Sequence, residues 1–353
     1  MTESVVGIDI GTCGLRAVEI GDADKSQPKL LRYHEVPLPE GAVVRGEVAE
    51  PNTVAAVLKT LWSAGGFTTK NVVLGIGNHR ALARDLSVPK TSMARIRETL
   101  PFLVADMLPV PVAEALLDFY PISESEGENG PEINGLLIAA VKEAVQKNIT
   151  AVQLAGLTTV EVDLIPFALS RAVCRGAAFD GAVALIDVGM ATTTVVIVLA
   201  GVPQFVRLIP TGGGDLTQAL ISGLSIDSAT AESVKRAHRL NALSTGRSGD
   251  TAVITEATIV TEATGDLLNS LRNTVNYFVN TRQQLPVTGI VLSGGGAKLA
   301  GFAEALGALT RLPILMADPF ASVALGRGID AAALRATDGT FTVALGLALG
   351  STA

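Results

Sequence analysis

Aromatic side chains are scarce: Phe, Tyr and Trp together make up 4% of the 353 residues. Any core must therefore be aliphatic. Cysteine is scarcer still, with only Cys13 and Cys174, which excludes a framework of bridges and fits a reducing cytosol. The three histidines, His34, His79 and His238, are scattered and no cysteine cluster accompanies them, which argues against a structural zinc site. There is no long basic run and the net charge is −7, so nucleic acid and anionic membrane are poor partners. No basic stretch followed by an apolar one opens the chain, so no signal peptide is expected. The most apolar stretch, residues 182–200, is interrupted by Asp187 and a threonine run, which suits a strand pair and not a membrane span. Walker A, Gly-x-Ser-x-Gly and His-Glu-x-x-His patterns are all absent.

What is present centres on Val5-Val6-Gly7-Ile8-Asp9-Ile10-Gly11-Thr12. An apolar strand ends in an acid, a glycine and a hydroxyl, then returns after Cys13-Gly14 through Leu15 to Ile20. The pattern predicts a hairpin whose tip lets backbone N–H groups approach phosphate oxygens, with Asp9 at the mouth to hold a hydrated magnesium ion. Cys13 in this tip reads as a small filler, not a nucleophile. Alone, Asp-x-Gly at a strand end is an ordinary turn. The pattern recurs, however, as Ile186-Asp187-Val188-Gly189-Met190 followed by the β-branched return Thr192–Val198. Internal duplication on this scale predicts two related domains with their tips on opposite walls of one cleft. Two more glycine turns precede helices, at Thr211-Gly212-Gly213-Gly214-Asp215 and Ser293-Gly294-Gly295-Gly296. Two acidic hairpins and a late Ser-Gly-Gly-Gly turn resemble the superfamily of actin, heat-shock chaperones and sugar kinases, which bind ATP.

The chain divides accordingly. Residues 1–80 read as the first part of an actin-like domain and 81–155 as an inserted α+β subdomain. Residues 156–180 return to the first domain, and 181–330 form the second, with a helical subdomain at about 224–287. Residues 331–353 end in a helix returning to the first domain. Within the insertion, a helical region over Ser92–Leu108 is expected to break at Pro101, and Ser123–Asn134 to form an acidic loop between two short strands. A polar loop is expected over Asn241–Asp250, then a long helix from about Thr255 to Leu285 with an apolar stripe of Leu267, Leu268, Leu271, Val275 and Phe278.

The position of the insertion is similar to that of the FtsA-like branch, and several stretches resemble the PilM family, the actin-like proteins of type IV pilus assembly. They include Ile8-Asp9-Ile10-Gly11, Ala105-Asp106-Met107-Leu108-Pro109, Val162-Asp163-Leu164-Ile165-Pro166-Phe167, Gly212-Gly213-Gly214-Asp215-Leu216-Thr217, Ala231-Glu232 with Lys235, and Leu292-Ser293-Gly294-Gly295-Gly296. The resemblance spans nearly the whole chain. Arg16 departs from it where lysine is common, keeping charge but changing geometry, and Met190 makes the second tip bulkier.

The resemblance implies an α/β fold of the duplicated actin-like class around a nucleotide cleft, with ATP and Mg2+ as cofactors. Asp9 and Asp187 would hold the metal, mostly through water. Backbone at Gly11, Thr12 and Gly189 would cradle the phosphates, with Cys13 and Arg16 also among the nucleotide-binding residues. Gly212, Gly213 and Gly214 would lie on the phosphate–ribose side, Glu232 and Lys235 near ribose or adenine, and Gly294, Gly295 and Gly296 against the base. The family captures the cytoplasmic N-terminal tail of PilN, a membrane-anchored partner. This implies a cytoplasmic scaffold of pilus or type II secretion assembly, recruited to the inner face of the membrane, with at most slow ATP hydrolysis and with self-association left open. The docking site is expected on residues 81–155 with the adjoining first-domain edge, because short strands leave edges open for pairing. Two rivals remain. A small-molecule kinase needs a catalytic base, for which Asp163 is the one nominee, yet its neighbours are apolar. An FtsA-like division protein usually ends in a basic amphipathic membrane helix, whereas this sequence ends Gly350-Ser351-Thr352-Ala353, so direct membrane insertion is not expected.

Overall fold

A computed structural model of the protein describes residues 4–128, 130–240, 251–337 and 339–350, with 251–255 as backbone only. The expected loop 241–250 lies outside the described residues. The N-terminal strands β1 (Ser4–Ile10), β2 (Gly14–Gly21) and β3 (Lys29–Pro37) form an antiparallel meander. A two-strand ribbon, β4 (Val43–Val44) and β5 (Glu47–Val48), leads to α1 (Pro51–Gly65) and β6 (Asn71–Ile76). Pro51 starts α1, since its fixed φ suits a helix and its missing N–H is one the first turn leaves unpaired anyway. The inserted β7 (Ala81–Pro89), α2 (Met93–Leu103), β8 (Ala115–Gly127) and β9 (Gly130–Val141) follow, then α3 (Lys142–Leu154), β10 (Thr158–Leu164) and α4 (Ile165–Cys174).

The second half repeats the plan with β11 (Ala182–Val188), β12 (Thr193–Leu199) and β13 (Val202–Ile209). It continues through α5 (Gly213–Leu224), α6 (Ser228–Ala237), α7 (Thr251–Thr281), β14 (Val287–Ser293), α8 (Phe302–Thr310) and β15 (Ile314–Met316). The chain closes with β16 (Ala324–Leu325), α9 (Ala331–Arg335) and α10 (Thr342–Ala348).

Strand order exposes the duplication. The first sheet runs β10-β6-β1-β2-β3-β16 and the second β13-β12-β11-β14-β15. In both, a three-strand antiparallel meander is extended by two parallel strands on the side of its first strand. One face of the first sheet packs on α1 and α3 through Val54, Leu58, Ala151 and Val152. The other packs on α4 and α10, where Leu345 and Leu347 are fully buried. Each such leucine contributes about 2 kcal/mol of apolar burial. The second sheet rests on α7 and α8, with the expected stripe Leu267, Leu268, Leu271, Val275 and Phe278 all buried.

The insertion is a separate three-stranded sheet, β7-β9-β8, with its own core around Val88, Ile96, Leu100, Phe119 and Leu137. Two expectations change here. Helix α2 runs through Pro101, close enough to its C-terminus that the lost N–H leaves only the carbonyl of exposed Arg97 to water. The acidic segment after Tyr120 is the outer half of a long hairpin, not a loop. Its charges stand on solvent-facing positions, and cross-strand bonds such as Asn134 Nδ2 to Ser125 Oγ (2.8 Å) hold the register. Helix α3 follows the insertion in sequence, but Ala151 and Val152 seat it in the first-domain core.

Candidate functional site

The two meanders point their first hairpins at each other across a cleft of about 820 Å3. Both tips close the same way: the Gly11 N–H donates to Gly14 C=O (3.1 Å) and the Gly189 N–H to Thr192 C=O (3.0 Å). The strand registers put Asp9 opposite Arg16 and Asp187 opposite Thr194, so each acid sits at the base of its tip. Asp9, Gly11, Thr12, Cys13 and Arg16 line the cleft from the first domain, and Asp187 and Gly189 from the second.

Burial pushes the Asp9 carboxyl above its ordinary value against the pull of Arg16, whose Nη1 lies 3.4 Å from Asp9 Oδ2. Burial likewise raises Asp187 to about 6, opposed by a 2.6 Å hydrogen bond from Ser293 Oγ and reinforced by the charge of Asp9. Two desolvated carboxylates, one of them raised further by the charge of the other, are short of positive charge, the condition a divalent cation relieves. Arg16 supplies part of it: burial works against its charge, but Asp9, Glu35 and Asp187 more than compensate. Cys13 is exposed at the tip, and desolvation followed by the Glu232 charge raises its thiol pKa, which suits a filler and not a nucleophile.

The glycine turns close the far wall. Helix α5 begins at Gly213, earlier than expected, because Asp215 Oδ2 accepts the Gly212 N–H at 2.7 Å. The Gly213 and Gly214 N–H groups donate to Gly189 and Met190 C=O (2.9 and 2.7 Å), tying this turn to the second tip. Gly212 and Gly213 line the cleft, whereas Gly214 turns toward the Met190 side chain and is not among the lining residues. Gly294 has φ +86°, and a Cβ there would meet the Val188 backbone nitrogen at 2.8 Å. Only glycine lets this turn press onto the end of β11. Gly295 and Gly296 join it in the cleft wall.

Glu232 and Lys235, one turn apart on α6, converge on α5. Lys235 Nζ donates to Thr217 Oγ1 (2.8 Å), Glu232 Oε1 (2.5 Å) and Gly213 C=O (3.1 Å). Burial pushes Glu232 up, but the bonds from Lys235 and Thr217 outweigh it and hold the carboxyl below its usual range. The pair is therefore a fixed charged edge of the cleft and not a loose surface face.

Asp163 does not join these residues. Its Oδ1 accepts the Leu164 N–H (2.7 Å), its Oδ2 pairs with Arg171 on α4, and it does not line the cleft. The sequence placed it at a strand end; what it did not reveal is the arginine eight residues on that captures it.

Two lining residues escaped the sequence reading. Asn148 on α3 and Thr264 on α7 are buried, line the cleft from opposite domains, and leave Asn148 Oδ1 and Thr264 Oγ1 without a partner among the described residues. Buried polar atoms are otherwise almost always paired. Orphaned atoms, an acidic pair and open glycine turns together fit a polar, phosphate-bearing ligand with a divalent cation. The available signal for Thr264 was a hydroxyl set into the apolar stripe of α7, between Val260 and Leu267.

Two copies of one sheet topology around an acidic, glycine-walled cleft define a protein of the actin-like ATPase fold. The chain belongs to the family described as type IV pilus assembly protein PilM, which it matches over residues 7–352. A solved structure described as the PilM–PilN type IV pilus biogenesis complex contains a chain similar to it, with TM-score 0.84 and 28% identity, covering 98% of this chain and 97% of that one. The cell division protein FtsA of Bacillus subtilis (strain 168) is 24% identical over 263 residues, covering 66% of this chain and 58% of FtsA, so the chain spans little over half of that relative. MreB5 of Spiroplasma citri bound to ADP shares the fold alone, at TM-score 0.54 and 12% identity over 98% of this chain and 95% of that one. Among the described residues, no helix is long and apolar enough to cross a membrane.

Proposed function

We propose that this protein is a cytoplasmic, ATP-binding scaffold of type IV pilus or related type II secretion assembly, brought to the inner membrane face by a PilN-like protein whose N-terminal tail it captures. The observation that carries the nucleotide half is the pair of Asp-x-Gly hairpins facing one another across a single cleft. Asp9 and Asp187 hold magnesium, mostly through water, and the ion supplies charge neutralisation to the phosphates. Gly11, Thr12, Gly189 and Gly212 lie along the phosphates, with Arg16 beside them as a cation. Glu232 and Lys235 border the ribose, and Gly294, Gly295 and Gly296 give the base close approach.

Hydrolysis is slow in this reading. The acid that a kinase would use as base, Asp163, is engaged by Arg171 and Leu164. Turnover well below the roughly 1–100 s⁻¹ of kinases is expected. Asp9→Ala and Asp187→Ala each weaken magnesium-dependent ATP binding at least tenfold in calorimetry. Wild-type affinity in both variants overturns the site.

The partner half rests on the family and on an open edge. β10 is the outer strand of the first sheet, Val160 on it is 50% exposed, and a groove of about 370 Å3 separates it from α3. An extended tail adds to such an edge through backbone hydrogen bonds. Val160→Asp in the full chain is expected to abolish pull-down by a PilN-like tail while leaving ATP affinity unchanged; undiminished pull-down places the docking site elsewhere.

A further inference from the structure

Part of the cleft lining is apolar around a single threonine hydroxyl. Thr264 sits on α7 beside Ala263 and Leu267, with Leu216 from α5 and Leu299 and Phe302 from the segment after the Ser-Gly-Gly-Gly turn lining the same cleft. Its residue exposure is 4%, and Oγ1 has no hydrogen-bond partner among the described residues. A threonine inside a helix can return its hydroxyl to the carbonyl four residues back, and Thr274, ten residues along the same helix, does so, donating to Ser270 C=O at 2.8 Å. Thr264 makes no such bond. A buried hydroxyl left unpaired destabilises the free protein, so its presence in an apolar wall calls for a partner that arrives with the ligand.

We propose that Thr264 is the base-reading residue of the nucleotide cleft, its Oγ1 accepting a hydrogen bond from the exocyclic amino group of adenine. This rests on the ATP-binding reading given above. The apolar lining residues Leu216, Leu267 and Phe302 suit a purine face, while Glu232, Lys235 and the hairpin tips supply charge for ribose and phosphates. Within adenine the exocyclic amino group is the base's only N–H donor, so an acceptor on this wall selects for it. A site built around one hydrogen bond discriminates against the analogue that lacks it, because the buried group is then left unpaired.

The test pairs Thr264→Val, which has nearly the same shape, with ATP and with purine riboside triphosphate, which lacks the amino group. The wild-type chain is expected to bind ATP about tenfold more tightly than the analogue, and the variant to bind both with the weaker affinity. Thr264→Ser is expected to restore the preference. The melting temperature of the nucleotide-free variant is expected to equal or exceed that of the wild type, since an unpaired hydroxyl has gone. A merely structural role for Thr264 predicts the opposite sign. Equal preference for ATP in wild type and Thr264→Val overturns the inference while leaving ATP binding intact. Failure of the wild type to bind either nucleotide overturns the ATP-binding reading and this inference with it.

Discussion

Asp187 lies half-buried in the cleft wall facing Asp9, and desolvation raises its carboxyl to about 6 from an ordinary value of 3.8. Between those values the folded chain holds a proton that the unfolded chain has lost. The stabilisation is therefore complete below about pH 4 and disappears as pH rises through about 6, a change of roughly 2–3 kcal/mol. Asp187→Asn, which still accepts the Ser293 hydrogen bond, should remove this dependence. Denaturant titrations of the nucleotide-free, magnesium-free protein at pH 4 to 7.5 check it; identical slopes in wild type and variant contradict it. Asp9, Gly11, Asp187 and Gly189 were legible from sequence because Asp-x-Gly repeats in each half, and repetition is visible without coordinates; the glycine triplets do not share that spacing, and Gly214 falls outside the cleft lining. Asn148 and Thr264 were not, because their significance lies in bonds they fail to make. Asp163 stood as the one nominee for a catalytic base because nothing in the sequence announces that Arg171 on the next helix pairs with it.

At the scale of elements, the hairpins and the α7 stripe were legible because period-two and period-3.6 patterns are strong there. The long β8–β9 hairpin was hidden, since its outer half is acidic on both strands and its pairing depends on register, not on burial. Two glycines separate the uses of that residue. Gly265 lies inside α7 with nothing within 4 Å of where a Cβ would stand. Gly265→Ala should stabilise the protein by about 0.5–1 kcal/mol in chemical denaturation. Gly294→Ala should destabilise it by about 2–4 kcal/mol, through the φ of +86° and the contact with Val188. A reversed order of these two stabilities contradicts the backbone account of the Ser-Gly-Gly-Gly turn.

At the scale of the molecule, the insertion touches both halves. Its Leu136 shares a core with Val183, Leu185, Val196 and Val206 of the second domain, and β7 lies beside β13. Arg282, just past α7, bonds Asp85 of β7 at 2.9 Å, with the Asp85 side chain 56% exposed. An ion pair this open is worth under about 1 kcal/mol, whereas a buried leucine is worth about 2–5 when cut to alanine. Asp85→Ala should therefore barely move the unfolding midpoint and Leu136→Ala should lower it markedly; equal effects contradict the view that apolar packing holds the insertion in place.

In the proposed function, both halves of the duplication hold one nucleotide between them. Hydrogen–deuterium exchange of the full chain, with and without magnesium and ATP, tests it most directly. Added protection is expected at both hairpin tips, residues 11–14 and 189–192, together with the turns at 212–214 and 294–296. Protection confined to one domain, or absent from both tips while ATP is bound, contradicts it.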